Sequence, residues 1–337
     1  MNMRRPVTTL AMSPHLLSHL FTEAQRAELR AIAAVSFDEV LADFGTAEAR
    51  TRLAETEVLV TGWGTPVLDA SLLGVASRLR AVIHTGGTVK GLISAEWWDR
   101  GLAVSSAAQA NALPVAEYTL AMILLANKGV HRSERLYRQR RAYVDRELEF
   151  PRDGNFGRTV GVIAASRIGR RVIELLRPFD LDVLVSDPYL SPAEAALLGV
   201  RLVDLDELLA VADVVSVHAP SLPETRHLID RRGLARIRDG ATLINTARGA
   251  LVDQDALLDE LRSGRINAVL DVTEPDVLPA DSDLYELPNV VLTPHMAGAV
   301  GVELHRLAEM ALQELARYVR GEQLVHAVDP ALFDRAA

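Results

Sequence analysis

Three short segments combine an arginine, three carboxylates and a histidine with residues that turn a chain at the end of a strand. They read Asn245-Thr246-Ala247-Arg248-Gly249-Ala250, Asp271-Val272-Thr273-Glu274-Pro275-Asp276 and Leu292-Thr293-Pro294-His295-Met296-Ala297-Gly298. Each closes a short apolar, β-branched run, and open α/β sheets gather ligands beyond the carboxyl ends of their strands. Arginine offers a planar fork that grips a carboxylate through two parallel hydrogen bonds. Histidine moves its proton near neutral pH, which suits it to general acid–base work. A carboxylate beside that histidine would raise its pKa and fix its tautomer. Converging on one cleft, the three segments could bind an acid and move a proton.

A fourth segment could cradle phosphates. TVGVIAASRIGRRVIE at 159–174 reads as a buried strand, a tight turn of small residues and the start of a helix. Small residues let the backbone approach a pyrophosphate, and the helix N-terminus offers unpaired N–H groups and a positive dipole end. The fingerprint G-x-G-x-x-G falls on Ala164, Ser166 and Gly169, so its first two glycines are replaced. The next apolar run ends at Asp187, 18 residues beyond Gly169, where an acid can accept from the adenosine ribose hydroxyls. No arginine follows Asp187 at once, which favours NAD over NADP. A nucleophile elbow at Ser166 would need a small residue two positions further on, and Ile168 stands there instead.

Nine β-branched runs must position these segments: 57–61, 80–84, 102–105, 159–164, 182–186, 213–218, 241–246, 266–271 and 289–293. Several are apolar almost throughout, as strands buried on both faces of a parallel sheet are. Their alternation with helix-patterned stretches predicts a doubly wound α/β fold. Ser191 and Pro192 open one helix that Gly199 closes, and Asp253 caps another over 254–263 with Gly264 just beyond. One buried helix is expected over 114–128. The charged stretch 128–157 mixes Arg138, Arg140 and Arg141 with Glu134, Asp145, Glu147 and Glu149, which reads as a solvated or intersubunit face rather than a nucleic-acid patch. His15 and His19 lie one helical turn apart without an adjacent glutamate, so a surface helix and no metal site is expected.

The chain of 337 residues has room for about two domains. With 49% hydrophobic and 24% charged residues it is not a disordered polymer. Its 36 basic and 45 acidic side chains leave a charge of −9, which gives no overall field for nucleic acid or an anionic membrane. It has no cysteine, which excludes disulfides, thiolate metal sites and cysteine nucleophiles. The apolar run after Arg4-Arg5 is too short for a signal peptide, and the longest, at 118–126, is too short to cross a bilayer. A soluble cytoplasmic protein is expected.

Val115-Ala116-Glu117, NTARGALVDQDAL at 245–257 and LTPHMAG at 292–298 resemble segments of the D-isomer-specific 2-hydroxyacid dehydrogenase family. The likeness runs from about Glu57 to about Gly301 and is most specific over 159–298. It implies two Rossmann-like domains, with an NAD-binding domain at 114–298 inserted into a discontinuous substrate domain of residues 1–113 and 299–337. It also implies homodimers, and hydride transfer between NAD(H) and C2 of a small 2-hydroxy or 2-oxo acid. Carried over by position, Arg248 would bind the substrate carboxylate and polarise the C2 oxygen, while His295 would exchange the hydroxyl proton. The family's glutamate partner stands five residues past the aspartate ending the preceding strand. Here that position is Asp276, with Glu274 two positions away and able to compensate. Gly86, Gly87 and Thr88 would hold the substrate carboxylate through backbone N–H groups. Ser166, Arg167 and Ile168 would lie along the pyrophosphate, and His218, Pro220 and Thr225 along the adenosine. Thr246, Ala247 and Asp271 would approach the ribose or nicotinamide, Asp271 accepting from the carboxamide.

Two departures bear on activity. Ala164 and Ser166 add bulk where backbone should meet phosphate, although the Ser166 hydroxyl could donate to a phosphate oxygen. Asp276 has one methylene less than glutamate with which to reach the histidine. A second reading therefore stands beside the enzyme: a non-enzymatic NAD(H)-responsive binding protein on the same scaffold. The chain ends about forty residues after His295, so no appended regulatory domain is expected.

Overall fold

Runs rich in valine, isoleucine and leucine build two wholly parallel sheets, one in each of two compact units. The computed structural model describes residues 4–330. One unit holds the described residues up to Ala112 together with those from Ala299 onward, and the other runs from Leu113 to Gly298.

The first unit contains β1 (Val7–Ala11), β2 (Ala34–Val35), β3 (Val58–Thr61), β4 (Ala81–His84) and β5 (Ala103–Ser106), paired in the order β2-β1-β3-β4-β5. The second contains β6 (Arg158–Ile163), β7 (Leu181–Ser186), β8 (Arg201–Leu202), β9 (Val214–Val217), β10 (Thr242–Asn245), β11 (Asn267–Leu270) and β12 (Val290–Leu292). Their order is β12-β11-β10-β9-β6-β7-β8. This is the doubly wound α/β class that the alternation of runs predicts. All nine of those runs form strands, and β3, β4, β9 and β10 are buried along their whole length. Each fully buried Val, Leu or Ile side chain contributes about 1.5–3 kcal/mol, so these runs hold the layers together.

The chain leaves β6 toward β7 and β8 on one side and toward β9 to β12 on the other. The crevice at such a reversal is where open α/β sheets bind their ligands. Register sharpens the point. Ser186, Ile163, Val217, Asn245, Leu270 and Leu292 stand at one level across six neighbouring strands. The residues that follow them are Asp187, Ala164, His218, Thr246, Asp271 and Thr293. Six of the segments singled out for chemistry thus leave the sheet along one edge.

Local punctuation follows the sequence in most places. Ser191 and Glu194 form a reciprocal capping box on the helix Pro192–Leu198, and Gly199 ends it in the left-handed region. Asp253 caps the helix Gln254–Arg262 by accepting from the Ala256 N–H. His15 and His19 lie exposed on the helix Pro14–Leu20. The buried helix expected from residue 114 instead spans Ala108–Asn127 and carries Pro114 in its interior. A proline lacks one helical donor, and the apolar packing of this segment outweighs that loss. Among the described residues, no helix is long and apolar enough to cross a membrane, and no cluster of metal-ligating side chains occurs.

Candidate active site

Asn245 ends β10 and braces the turn that presents Arg248. Its Oδ1 accepts from the Ala247 N–H at 3.0 Å and its Nδ2 donates to the Arg248 carbonyl at 2.8 Å. Arg248 is exposed and spends one donor on the Ala247 carbonyl, which leaves the rest of its fork free. Gly249 then packs against the neighbouring loop. A Cβ there would lie 2.2 Å from the carbonyl carbon and oxygen of Thr273, so only glycine lets the two loops approach this closely.

The Thr273–Asp276 loop is held from both sides. Gln254 takes the Glu274 N–H on its Oε1 (2.9 Å) and donates to the Glu274 carbonyl (2.7 Å). The Thr273 hydroxyl bonds the Pro275 carbonyl at 2.7 Å. The Glu274 side chain turns to Arg226 at 2.8 Å, and that guanidinium holds its carboxyl below the usual range. Asp276 is exposed. Among the described residues, no hydrogen bond or ion pair joins His295 to either acid.

The histidine loop hangs from Asp271. The carboxylate accepts from the Thr293 hydroxyl and from the Met296 and Ala297 N–H groups, while the Asp271 carbonyl accepts from the His295 N–H. His295 itself is exposed, at φ 53°. The three loops are therefore brought together: Gly249 lies on Thr273, and the strand end before Thr273 anchors the histidine.

The phosphate turn is shaped by close approach. A Cβ on Gly169 would fall 2.1 Å from the Ala164 carbonyl oxygen and 3.5 Å from the His218 Cβ, so the helix Arg167–Leu176 starts hard against the ends of β6 and β9. Ala164 takes φ 73°, a conformation that glycine adopts more cheaply. Ser166 caps the helix by accepting from the Gly169 N–H. The first helical N–H groups, those of Arg167 and Ile168, have no acceptor within the helix and suit an anion. Asp187 accepts from the Ala165 and Tyr189 N–H groups at 2.8 Å each, and each carboxylate oxygen keeps room for a second donor such as a ribose hydroxyl. His218 is 2% exposed; burial pushes its pKa down to about 3 and keeps it neutral. Its Nε2 meets Ser216 at 2.9 Å, and its Nδ1 has no partner. The Thr225 hydroxyl donates to the Pro220 carbonyl at 2.7 Å, tying those two together. A buried polar atom awaiting a partner, a turn that a Cβ would fill and a helix start beside an acid fit a dinucleotide.

The comparisons decide the family. A model described as the D-isomer specific 2-hydroxyacid dehydrogenase, NAD binding domain, matches residues 120–297. The chain belongs to that family. Over those residues it is the family's NAD-binding domain, and NAD is its cofactor. It is 36% identical to the D-3-phosphoglycerate dehydrogenase of Mycobacterium leprae over 278 residues, which is 82% of this chain and 51% of that one. The glyoxylate reductase of Korarchaeum cryptofilum is 33% identical over 273 residues, covering 80% of this chain and 82% of its own. The crystal structure of the TT0316 protein from Thermus thermophilus superposes with a TM-score of 0.78 at 29% identity, over 96% of this chain and all of that one. The chain spans about half the length of the phosphoglycerate dehydrogenases it matches.

In the unit that ends with Ala112 and resumes at Ala299, Gly86, Gly87 and Thr88 follow β4. A Cβ on Gly86 would sit 2.4 Å from Nε2 of His84, so the turn folds directly over that imidazole. Burial pushes the His84 pKa to about 4, and its Nδ1 lies 2.9 Å from the Thr61 hydroxyl. Gln254 and His84 also position these loops, and sequence reasoning assigns neither a role: Gln254 acts on Glu274, 20 positions away, and His84 pairs with Thr61, 23 positions away. Asp271, expected at the nicotinamide, also serves the histidine loop through its carboxylate.

Proposed function

We propose that this protein is an NAD-dependent D-2-hydroxyacid dehydrogenase, reducing a small 2-oxo acid or oxidising the matching 2-hydroxy acid. The observation that carries the reading is the registered sheet edge, from which the arginine, acid and histidine loops leave three adjacent strands beside the nucleotide turn. NADH supplies the hydride that C2 of the oxo acid receives. Arg248 grips the carboxylate and polarises the C2 oxygen, and His295 delivers the proton that completes the hydroxyl. Of the two acids, Asp276 is the one left to pair with His295, since Arg226 already occupies Glu274. Thr246, Ala247 and Asp271 line the nicotinamide side, and Ser166, Arg167, Ile168, His218, Pro220 and Thr225 the rest of the cofactor. The unit Leu113–Gly298 is then the cofactor domain, and the other, with its Gly86–Thr88 turn, the substrate domain.

Saturating the protein with NADH and offering glyoxylate, hydroxypyruvate, pyruvate and bulkier 2-oxo acids tests this. Loss of NADH absorbance with at least one acid is expected. Tight NADH binding without turnover on any would favour the NAD(H)-responsive binding protein, which the strained Ala164 and the unpaired Asp276 otherwise suggest.

The cofactor preference follows from Asp187. Its carboxylate repels a 2′-phosphate and accepts from ribose hydroxyls, so kcat/KM with NADH should far exceed that with NADPH. Asp187→Ala should weaken NADH binding by about tenfold, the worth of a charged hydrogen bond, and narrow that preference. Equal kcat/KM with the two cofactors in the native protein would refute the assignment.

A homodimer is part of the same proposal. Tyr137, Tyr143, Leu148 and Phe156 lie exposed on the segment 128–157, an apolar set that a second copy would cover. Sedimentation equilibrium should return twice the chain mass; a monomer at micromolar concentration would contradict it. A cytoplasmic location is part of the same proposal, and cell fractionation tests it.

A further inference from the structure

The loop that presents His295 is tied to one buried carboxylate. Asp271 is 2% exposed, and a charge so placed is costly unless hydrogen bonds satisfy it. Its Oδ1 accepts from the Thr293 hydroxyl at 2.6 Å and the Met296 N–H at 2.8 Å, and its Oδ2 from the Ala297 N–H at 2.9 Å. These donors bracket His295, whose φ of 53° lies in the left-handed region that a non-glycine residue enters only at a cost. Such strain persists only where the surroundings over-determine it. The Asp271 carboxylate is that determinant.

Tyr118, on the helix Ala108–Asn127, stands behind it. Its hydroxyl lies 2.8 Å from Thr293 Oγ1. A threonine hydroxyl has one proton, and Thr293 commits its proton to the carboxylate. Tyr118 must therefore donate and Thr293 accept. Burial raises the Tyr118 phenol above its ordinary value, with Thr293 opposing and Asp271 reinforcing, so the donor keeps its proton at neutral pH. The adjacent Thr119 meets Thr246 at 3.2 Å, so one turn of this helix braces the loops after both β12 and β10.

We propose that Tyr118 is a positioning residue for His295, acting through the Thr293 hydroxyl and the Asp271 carboxylate. The proposal rests on the reading of His295 as the acid–base group, and its test separates the two. Tyr118→Phe removes one oxygen and should lower kcat for 2-oxo acid reduction by about tenfold, the scale of a small misplacement of a catalytic group. NADH affinity and the unfolding temperature should stay as they are. Thr293→Val should act like Tyr118→Phe, and Thr293→Ser, which keeps the hydroxyl, should restore the rate. In a His295→Asn background, Tyr118→Phe should have no further effect, because the group it positions is gone. The same loss in both backgrounds, or no loss in the native one, overturns the proposal. If His295→Asn alone leaves turnover intact, the acid–base reading fails and this proposal falls with it.

Discussion

Replacing His295 by asparagine is expected to lower kcat for 2-oxo acid reduction by about a thousandfold, within the range that one positioned general acid contributes. Asparagine is the informative choice because it tolerates the left-handed backbone that His295 adopts at φ 53°. The loop should therefore keep its ties to Asp271, and the loss reports the imidazole rather than a collapsed turn. NADH binding should be unchanged, since the phosphate turn and Asp187 lie on other strands of the sheet. A fall smaller than tenfold would mean that solvent or another group delivers the proton.

Arg248→Lys is expected to lower kcat/KM for the oxo acid by about a hundredfold, the worth of roughly 2–3 kcal/mol for a charge-assisted hydrogen bond that lysine cannot reproduce. Charge is retained, so what is lost is the planar fork. Both parameters should move: KM rises because the carboxylate is held less well, and kcat falls because the C2 oxygen is less polarised. The brace from Asn245 reaches only backbone atoms of Ala247 and Arg248, so the turn should survive the substitution. An unchanged kcat/KM would show that the carboxylate is held elsewhere.

The sheets were legible because parallel strands buried on both faces leave nearly continuous apolar runs, and the runs at 57–61 and 241–246 have no helical alternative of that length. β1 was not, since its VTTLA carries two threonines, which become buriable through pairing with β2 and β3 and through the hydroxyl bonds of Thr8 to the Pro6 carbonyl and of Thr9 to Thr56. The two-residue strands β2 and β8 are edge pairings with no pattern to read. Residue types at the candidate site were legible for the same reason that the loops were: each follows a strand end. What holds them was not. Tyr118 meets Thr293 across 175 positions, and Gln254 clamps Glu274 across 20, so neither partner shows in local spacing. Asp271 illustrates the limit best. Its place at a strand end suggests a ligand contact, and its burial beneath the histidine loop shows an anchor as well.

The central claim is direct hydride transfer to C2, and the fate of a label tests it without reference to any one side chain. NADH carrying deuterium at both C4 positions is incubated with the native protein and hydroxypyruvate, or whichever 2-oxo acid the screen selects, and the product is examined by mass spectrometry and NMR. The expected product is a 2-hydroxy acid of D configuration carrying deuterium at C2, in amounts equal to the NADH consumed. Saturable NADH binding with no labelled hydroxy acid from any 2-oxo acid would contradict it, leaving a protein that holds the cofactor on this scaffold without using it for chemistry.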